Sequence, residues 1–280
     1  MGRVLDDGAP AHSAATRHTP LVIAHRGSSQ AEPEHTLKAY QRAIEEGADG
    51  LECDVRLTAD GHLVCVHDRR VNRTSNGRGI VSTLELAELE GLDWGSWKAA
   101  HEDDDEVPDR NRGQLLTLRA LLTTVLETKR PIGLAIETKH PTRYAGLVER
   151  QLAKVLADFG LAGPPEPGKH WVRMMSFSQL AVQRMRQLCP DVPTVYLVED
   201  SMPLRFRDGS LPKGVHTAGV DVRLLRRHPR IVERQHSRGH QVFAWTVDRP
   251  EDVDLCLELG VDAIISNRPR DVLDAVRSAR

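Results

Sequence analysis

The chain has 280 residues, 40% of them hydrophobic, and a formal net charge of -2 at pH 7. That length suits one barrel of about 250 residues or two small domains, and the apolar content is ample for a large core. The near-neutral balance, with basic residues spread along the chain, argues against a nucleic-acid partner.

Residues 1–19 are rich in Ala, His, Asp and Thr without periodicity and read as a flexible tail. The opening Met1-Gly2-Arg3-Val4-Leu5-Asp6-Asp7 lacks the apolar stretch of a secretory signal, and Asp6 stands where a myristoylation motif needs Ser or Thr. No apolar run approaches the roughly 18 residues of a membrane span. The expectation is a cytoplasmic protein without stable membrane insertion. The four cysteines include no Cys-x-x-Cys pair. They read as buried free thiols, in keeping with a reducing compartment.

From residue 20 to 280, short apolar runs alternate with longer helical patterns. Strands are predicted over 21–24, 50–55, 132–136, 172–176, 194–198, 215–220, 242–247 and 263–265. Helices are predicted over 36–46, 116–128, 143–159, 178–188, 229–237, 250–259 and 270–279, with Leu147, Leu152, Val155 and Leu156 on one amphipathic stripe. Gly47, Gly160, Gly239 and Gly260 sit just past helix ends, as C-caps do. Residues 56–114 break the alternation. They hold a short strand at 63–66, a helix at 83–89 with Ser82 as N-cap, Trp94, Trp97 and an acidic run at 102–106. This stretch is too long for an ordinary loop and reads as an insertion on the catalytic face that shapes the pocket. Eight alternating strands predict an α/β fold, a (β/α)8 TIM barrel with a small insertion after its second strand. An open doubly wound sheet is the alternative. It usually carries a Gly-rich phosphate loop after its first strand, where this chain has His25-Arg26-Gly27.

The chemistry concentrates between Ile23 and Arg73. Glu52 and Asp54 are two apart on a strand, so they share a face, while Leu51, Cys53 and Val55 take the other. Like charges on one face repel unless something positive lies between them, and a divalent cation is the simplest answer. Glu137 and Lys139 put an acid and an amine on one face of another strand end. Glu52, Asp54 and Glu137 together make an all-oxygen donor set suited to Mg2+, Ca2+ or Mn2+. His25 and His67 stand at strand ends beside charged residues and are candidates for general acid and base. Arg26 and Lys139 are candidate clamps for an anionic group. Glu34 either orients Arg26, binds polar substrate groups or simply starts a helix. Trp245 either walls the pocket or belongs to the core.

These residues resemble the glycerophosphodiester phosphodiesterase family. The likeness rests on His25-Arg26-Gly27, on Glu52-x-Asp54-Val55-x-x-Thr58-x-Asp60-Gly61, and on His67-Asp68. It continues through Glu137 and Lys139, Ser176-Phe177, Trp245-Thr246-Val247 and the segment 259–265, in order from about 21 to 273. Two positions depart from the family pattern: His35 replaces the usual Asn of Glu-Asn-Thr, and Ser266-Asn267-Arg268-Pro269 replaces the commoner Thr-Asp-x-Pro. His35 is read as altering a hydrogen bond near the pocket, not as catalytic. The resemblance implies a metal-dependent barrel enzyme that hydrolyses glycerophosphodiesters to sn-glycerol 3-phosphate and an alcohol. The nucleophile is either the substrate's own glycerol hydroxyl, through a cyclic phosphate, or water. His25 and His67 would serve as the acid-base pair. Arg26, Glu34, Lys139 and Trp245 would hold the substrate, and Glu52, Asp54 and Glu137 the metal. Rival readings are a phospholipase C- or D-like enzyme on a similar barrel and a catalytically silent phosphodiester-binding barrel. The intact histidines and carboxylates favour the enzyme. No sequence feature specifies an oligomeric state or a preferred head-group alcohol.

Overall fold

The computed structural model describes residues 19–99, 113–140, 146–201, 203 and 206–279. Nine strands form one sheet: β1 (Leu21–His25), β2 (Gly50–Leu57), β3 (Leu63–Cys65), β4 (Gly133–Thr138), β5 (Trp171–Ser176), β6 (Thr194–Val198), β7 (Thr217–Asp221), β8 (Gln241–Trp245) and β9 (Ala263–Ser266). Eight run parallel in the order β1-β9-β8-β7-β6-β5-β4-β2, and β1 also pairs with β2, which closes the barrel. β3 lies antiparallel on the end of β2. The helices are α1 (Leu37–Glu46), α2 (Leu86–Glu90), α3 (Ser96–Ala99), α4 (Leu118–Leu126), α5 (Leu147–Asp158), α6 (Gln179–Leu188), α7 (Val222–Arg227), α8 (Arg230–His236), α9 (Pro250–Leu259) and α10 (Pro269–Ser278). The fold is a (β/α)8 barrel, as the alternation of apolar runs predicts.

Strand periodicity sorts the core into two layers. Val22, Ala24, Leu51, Cys53 and Val55 face outward against the helices. Ile23, Ala135, Met175, Val195, Leu197, Phe243, Ala263 and Ile265 fill the barrel interior. The inward parity runs on past these residues to the strand ends, so His25 follows Ile23, Glu137 follows Ala135 and Trp245 follows Phe243. Several helices start on hydroxyl caps: Thr36 accepts from the Ala39 N–H, Thr117 from Ala120 and Ser178 from Ala181. All four cysteines are buried and unbridged. Among the described residues, no helix is long and apolar enough to cross a membrane.

The segment between β3 and α4 has a small apolar centre of its own, made by Val64, Val66, Val71, Val81, Leu89 and Trp94. One local expectation fails there. The single helix at 83–89 with Ser82 as N-cap is instead a 3-10 turn, Val81–Thr83, followed by α2. Glu85 and Glu88 form a capping box, each side chain reaching the other's end of the first turn, so the helix starts three residues later than Ser82 would start it. The helical pattern over 143–159 begins at Leu147, with 141–145 outside the described residues, as are the acidic run 102–106 and nearly all of the tail 1–19. The short helices α3 and α7 have no counterpart in the sequence reading.

Candidate active site

Register builds the site. Between β1 and β2, His25 stands opposite Glu52, and between β2 and β4, Asp54 stands opposite Glu137. Directly opposed residues on parallel strands point the same way, so four polar side chains converge at the carboxyl ends of three adjacent strands. Oxygen atoms of Glu52, Asp54 and Glu137 lie within 4.8 Å of one another. These carboxylates are 2%, 1% and 7% exposed.

Two cations neutralise part of this charge. The Lys139 ammonium donates to Glu137 Oε1 at 2.8 Å and sits 3.3 Å from Asp54 Oδ1. Arg26 places Nε 3.0 Å from Asp54 Oδ2, and its Nη1 donates to Glu34 Oε1 at 3.0 Å. The Arg26 backbone N–H also donates to Glu52 Oε2 at 3.1 Å. Arg26 takes this position because the chain turns sharply after β1: Arg26 has φ 56° and Gly27 φ 83°. A Cβ at Gly27 would lie 2.6 Å from the backbone of Ala39, so only glycine fits there.

The electrostatics follow from burial and crowding. Burial, then the negative charge of Asp54, holds the Glu52 carboxyl well above its ordinary value. The same causes push Glu137 up to about 8. Burial alone would raise Asp54 too, but the Arg26 charge and a hydrogen bond from His35 hold it well below the usual range. Three carboxylates therefore share two cations, and two of the three resist ionisation. Two carboxyl groups held back from ionising beside a third make an all-oxygen donor set that fits a hard divalent cation, which would favour their ionised forms.

His35 Nε2 is 3.0 Å from Asp54 Oδ2, and its Nδ1 is 2.8 Å from the Tyr40 hydroxyl, which donates to the Glu52 carbonyl. His35 is therefore a buried support for Asp54, in line with its reading as a changed hydrogen bond near the pocket. Its φ of 62° is a left-handed conformation that asparagine adopts more readily.

His25 and His67 have different surroundings. His25 Nδ1 is 2.8 Å from Asn267 Oδ1, and Nε2 is 3.9 Å from Glu52 Oε2. Burial, then the Arg26 charge, lowers its pKa to about 3, so it is neutral at pH 7. His67 is half-buried, and its Nδ1 is 2.7 Å from Asp68 Oδ1. Burial again lowers its pKa. Arg56, on the same face of β2 as Asp54, grips the His67 carbonyl through Nε and Nη2 at 2.9 and 2.7 Å. Trp245 stands edge-on to Phe177 at 5.4 Å, and the Lys139 ammonium lies 5.9 Å from the Phe177 ring centre. The buried Trp245 indole N–H has no hydrogen-bond partner.

All nine residues singled out in the sequence thus meet in one network. His25, Arg26, Glu34, Glu52, Asp54, Glu137 and Lys139 touch in sequence. His67 joins through Asp68 and Arg73, and Trp245 through Phe177. Sequence reasoning passed over Arg73, Arg56 and Asp248, whose carboxylate accepts from the Asn267 side chain next to His25. Arg73 lies in the insertion among other arginines, and nothing local marks it. Asp248 follows Trp245-Thr246-Val247 directly, and that position is the signal that was available.

A (β/α)8 barrel with buried acids, two cationic side chains and two histidines at its carboxyl end has the layout of a hydrolase for an anionic ester. The chain belongs to the glycerophosphoryl diester phosphodiesterase family, whose model matches residues 25–271. It is 46% identical over 252 residues to a protein of Mycobacterium tuberculosis (strain CDC 1551 / Oshkosh) named probable glycerophosphodiester phosphodiesterase 1, covering 89% of this chain and 90% of that one. It is 32% identical to the glycerophosphodiester phosphodiesterase of Bacillus subtilis (strain 168), over 89% of this chain and 84% of the relative. Among solved structures, an Oleispira antarctica phosphodiesterase in complex with the product sn-glycerol-3-phosphate superposes with a TM-score of 0.77 at 26% identity, covering 92% of this chain and 97% of that one.

Proposed function

We propose that this chain hydrolyses water-soluble glycerophosphodiesters to sn-glycerol 3-phosphate and an alcohol, using a divalent cation held by Glu52, Asp54 and Glu137. The observation that carries this reading is the convergence of those three buried carboxylates beside Arg26 and Lys139, between two histidines with separate hydrogen-bond partners. A bound divalent cation supplies Lewis acidity and charge neutralisation at the phosphoryl oxygens. Arg26 and Lys139 direct N–H donors at the same anionic group, so charge developing on it meets donors already in place. Glu34 accepts from Arg26 Nη1 and so helps fix where the guanidinium points. The neutral His25 offers Nε2 as a proton acceptor, and His67, backed by Asp68, exchanges a proton with a second oxygen of the ester. Together they take a proton from the attacking oxygen and give one to the leaving oxygen. Phe177 and Trp245 form an apolar wall beside Lys139.

The four buried, unbridged thiols support a cytoplasmic setting. Among the described residues near the site, no side chain is specific to one head group, so modest preference among alcohols is expected. Incubating the protein with glycerophosphocholine, glycerophosphoethanolamine, glycerophosphoglycerol and glycerophosphoinositol and measuring sn-glycerol 3-phosphate tests the reading. All four should yield it, and kcat/KM for glycerophosphocholine should exceed that for short-chain phosphatidylcholine. A higher value for the acylated lipid would move the chain to the phospholipase reading, and no product from any of the four would sink the enzyme.

A further inference from the structure

Behind His25 lies a relay through Asn267 to Asp248. Asn267 Oδ1 is 2.8 Å from His25 Nδ1. The Asn267 Nδ2 amide donates to Asp248 Oδ2 at 2.6 Å, and the Asn267 backbone N–H donates to Asp248 Oδ1 at 2.8 Å. The Ser266 hydroxyl donates to Asp248 Oδ1 as well, at 3.0 Å. Ser29 Oγ lies 2.6 Å from Asn267 Oδ1 and 2.7 Å from the His25 carbonyl, closing the cluster on its other side.

Hydrogen-bond accounting fixes the directions between Asp248, Asn267 and His25, while the single Ser29 hydroxyl proton serves either of its two acceptors. A carboxylate that takes three donors acts only as an acceptor, so the Asn267 NH2 must face Asp248. The Asn267 carbonyl oxygen then faces His25, and it too only accepts. His25 must therefore carry its proton on Nδ1. Its Nε2 is left with a lone pair, on the side of the ring that faces Glu52. His67 differs, because a carboxylate of Asp68 accepts from it directly.

We propose that Asn267 is the positioning residue for His25, with Asp248 holding the amide in the one orientation that keeps the His25 proton on Nδ1. The proposal rests on the reading of His25 as a proton acceptor, but its first test does not depend on turnover. In the Mg2+-loaded protein, 15N NMR of the histidine rings, with His25→Gln to assign the signal, reports which nitrogen is protonated. The expected result at neutral pH is a neutral ring with the proton on Nδ1. A neutral ring protonated on Nε2 overturns the proposal without any variant of the relay.

The second test exchanges the two groups. Asn267→Asp sets two carboxylates against each other, and Asp248→Asn frees the amide to turn. Each should lower kcat, by about a hundredfold where the ring is misdirected, with KM within about threefold. The double variant, Asp248→Asn with Asn267→Asp, restores one carboxylate and one amide. It should recover turnover to within about tenfold of the native protein and keep His25 protonated on Nδ1. A double variant no better than the poorer single contradicts the proposal. If His25→Ala turns over normally while the wild-type ring is still held as the Nδ1–H tautomer, the relay stands and the catalytic reading of His25 is what fails.

Discussion

Arg73 donates to both carboxylate oxygens of Glu34, from Nη1 to Oε2 and from Nη2 to Oε1, each at 2.8 Å, across 39 residues of sequence. The Arg73 Nε donates to Asp68 Oδ2 at 2.8 Å. One residue of the insertion thus ties the partner of Arg26 to the partner of His67. The planar fork of arginine suits two carboxylates at once, which a lysine does not. Arg73→Met should lower kcat/KM by about tenfold or more through loosening of both, and Arg73→Lys should recover only part. Steady-state kinetics on glycerophosphocholine reads this, and an unchanged kcat/KM in Arg73→Met would show that the tie is dispensable.

The same pair sets an acid limb of stability. Burial alone would raise the Glu34 pKa, but the Arg73 hydrogen bonds and the Arg26 charge outweigh it and bring it down to about 2. A carboxylate depressed in the folded state adds stability that is present above its unfolded pKa and is lost as pH falls through the folded one. For Glu34 that window runs from about 4.5 down to about 2, and a shift of that size corresponds to roughly 3 kcal/mol. Urea unfolding at pH 6 and pH 3 should show a smaller loss on acidification in Arg73→Met than in the native chain. Equal losses would remove Glu34 from the acid limb.

His25→Ala and His67→Ala should each lower kcat by about a hundredfold or more, the usual scale for a lost general acid or base. Melting temperatures should move little, because neither ring belongs to the apolar core. Near-normal turnover in either variant would take that residue out of the chemistry.

Much of this was legible before folding. Runs such as Leu21-Val22-Ile23-Ala24 and Ala263-Ile264-Ile265 announce buried strands, and the two-residue spacing of Glu52 and Asp54 places them on one face. Illegible were the facts that depend on register and long-range contact. Asp54 meets Glu137 only because β2 and β4 pair with those residues opposite. Arg73 reaches Glu34, and Asn267 reaches His25 from 242 residues away, with no local pattern to mark either. The helix placed at 83–89 misread a local contest, in which the Glu85–Glu88 capping box prevails over Ser82.

Gly27 should tolerate no side chain. With φ at 83° and a prospective Cβ 2.6 Å from the Ala39 backbone, Gly27→Ala must shift β1's exit or α1. Such overpacking costs about 1–3 kcal/mol, plus the strain of the left-handed backbone. Thermal unfolding and kcat should both fall, since Arg26 rides on the same turn. A variant as stable and active as the native chain would mean that the turn is not tightly held.

Trp245→Phe removes the unpartnered indole N–H and keeps an aromatic wall against Phe177. Removing the wall in Trp245→Ala should reduce kcat/KM by about tenfold, and Trp245→Phe, which keeps it, by less. Native kcat/KM in Trp245→Ala would mean that the wall is dispensable.

The catalytic reading turns on the three converging carboxylates. The direct measurement is turnover of glycerophosphocholine by protein stripped with EDTA, its metal content verified by elemental analysis, then resupplied with Mg2+, Mn2+ or Ca2+. The expected result is no turnover in the stripped protein, recovery with at least one of the three ions, and no recovery in Glu52→Gln or Asp54→Asn. Full turnover in protein shown to be free of metal would contradict the assignment of Glu52, Asp54 and Glu137 as a divalent-cation site.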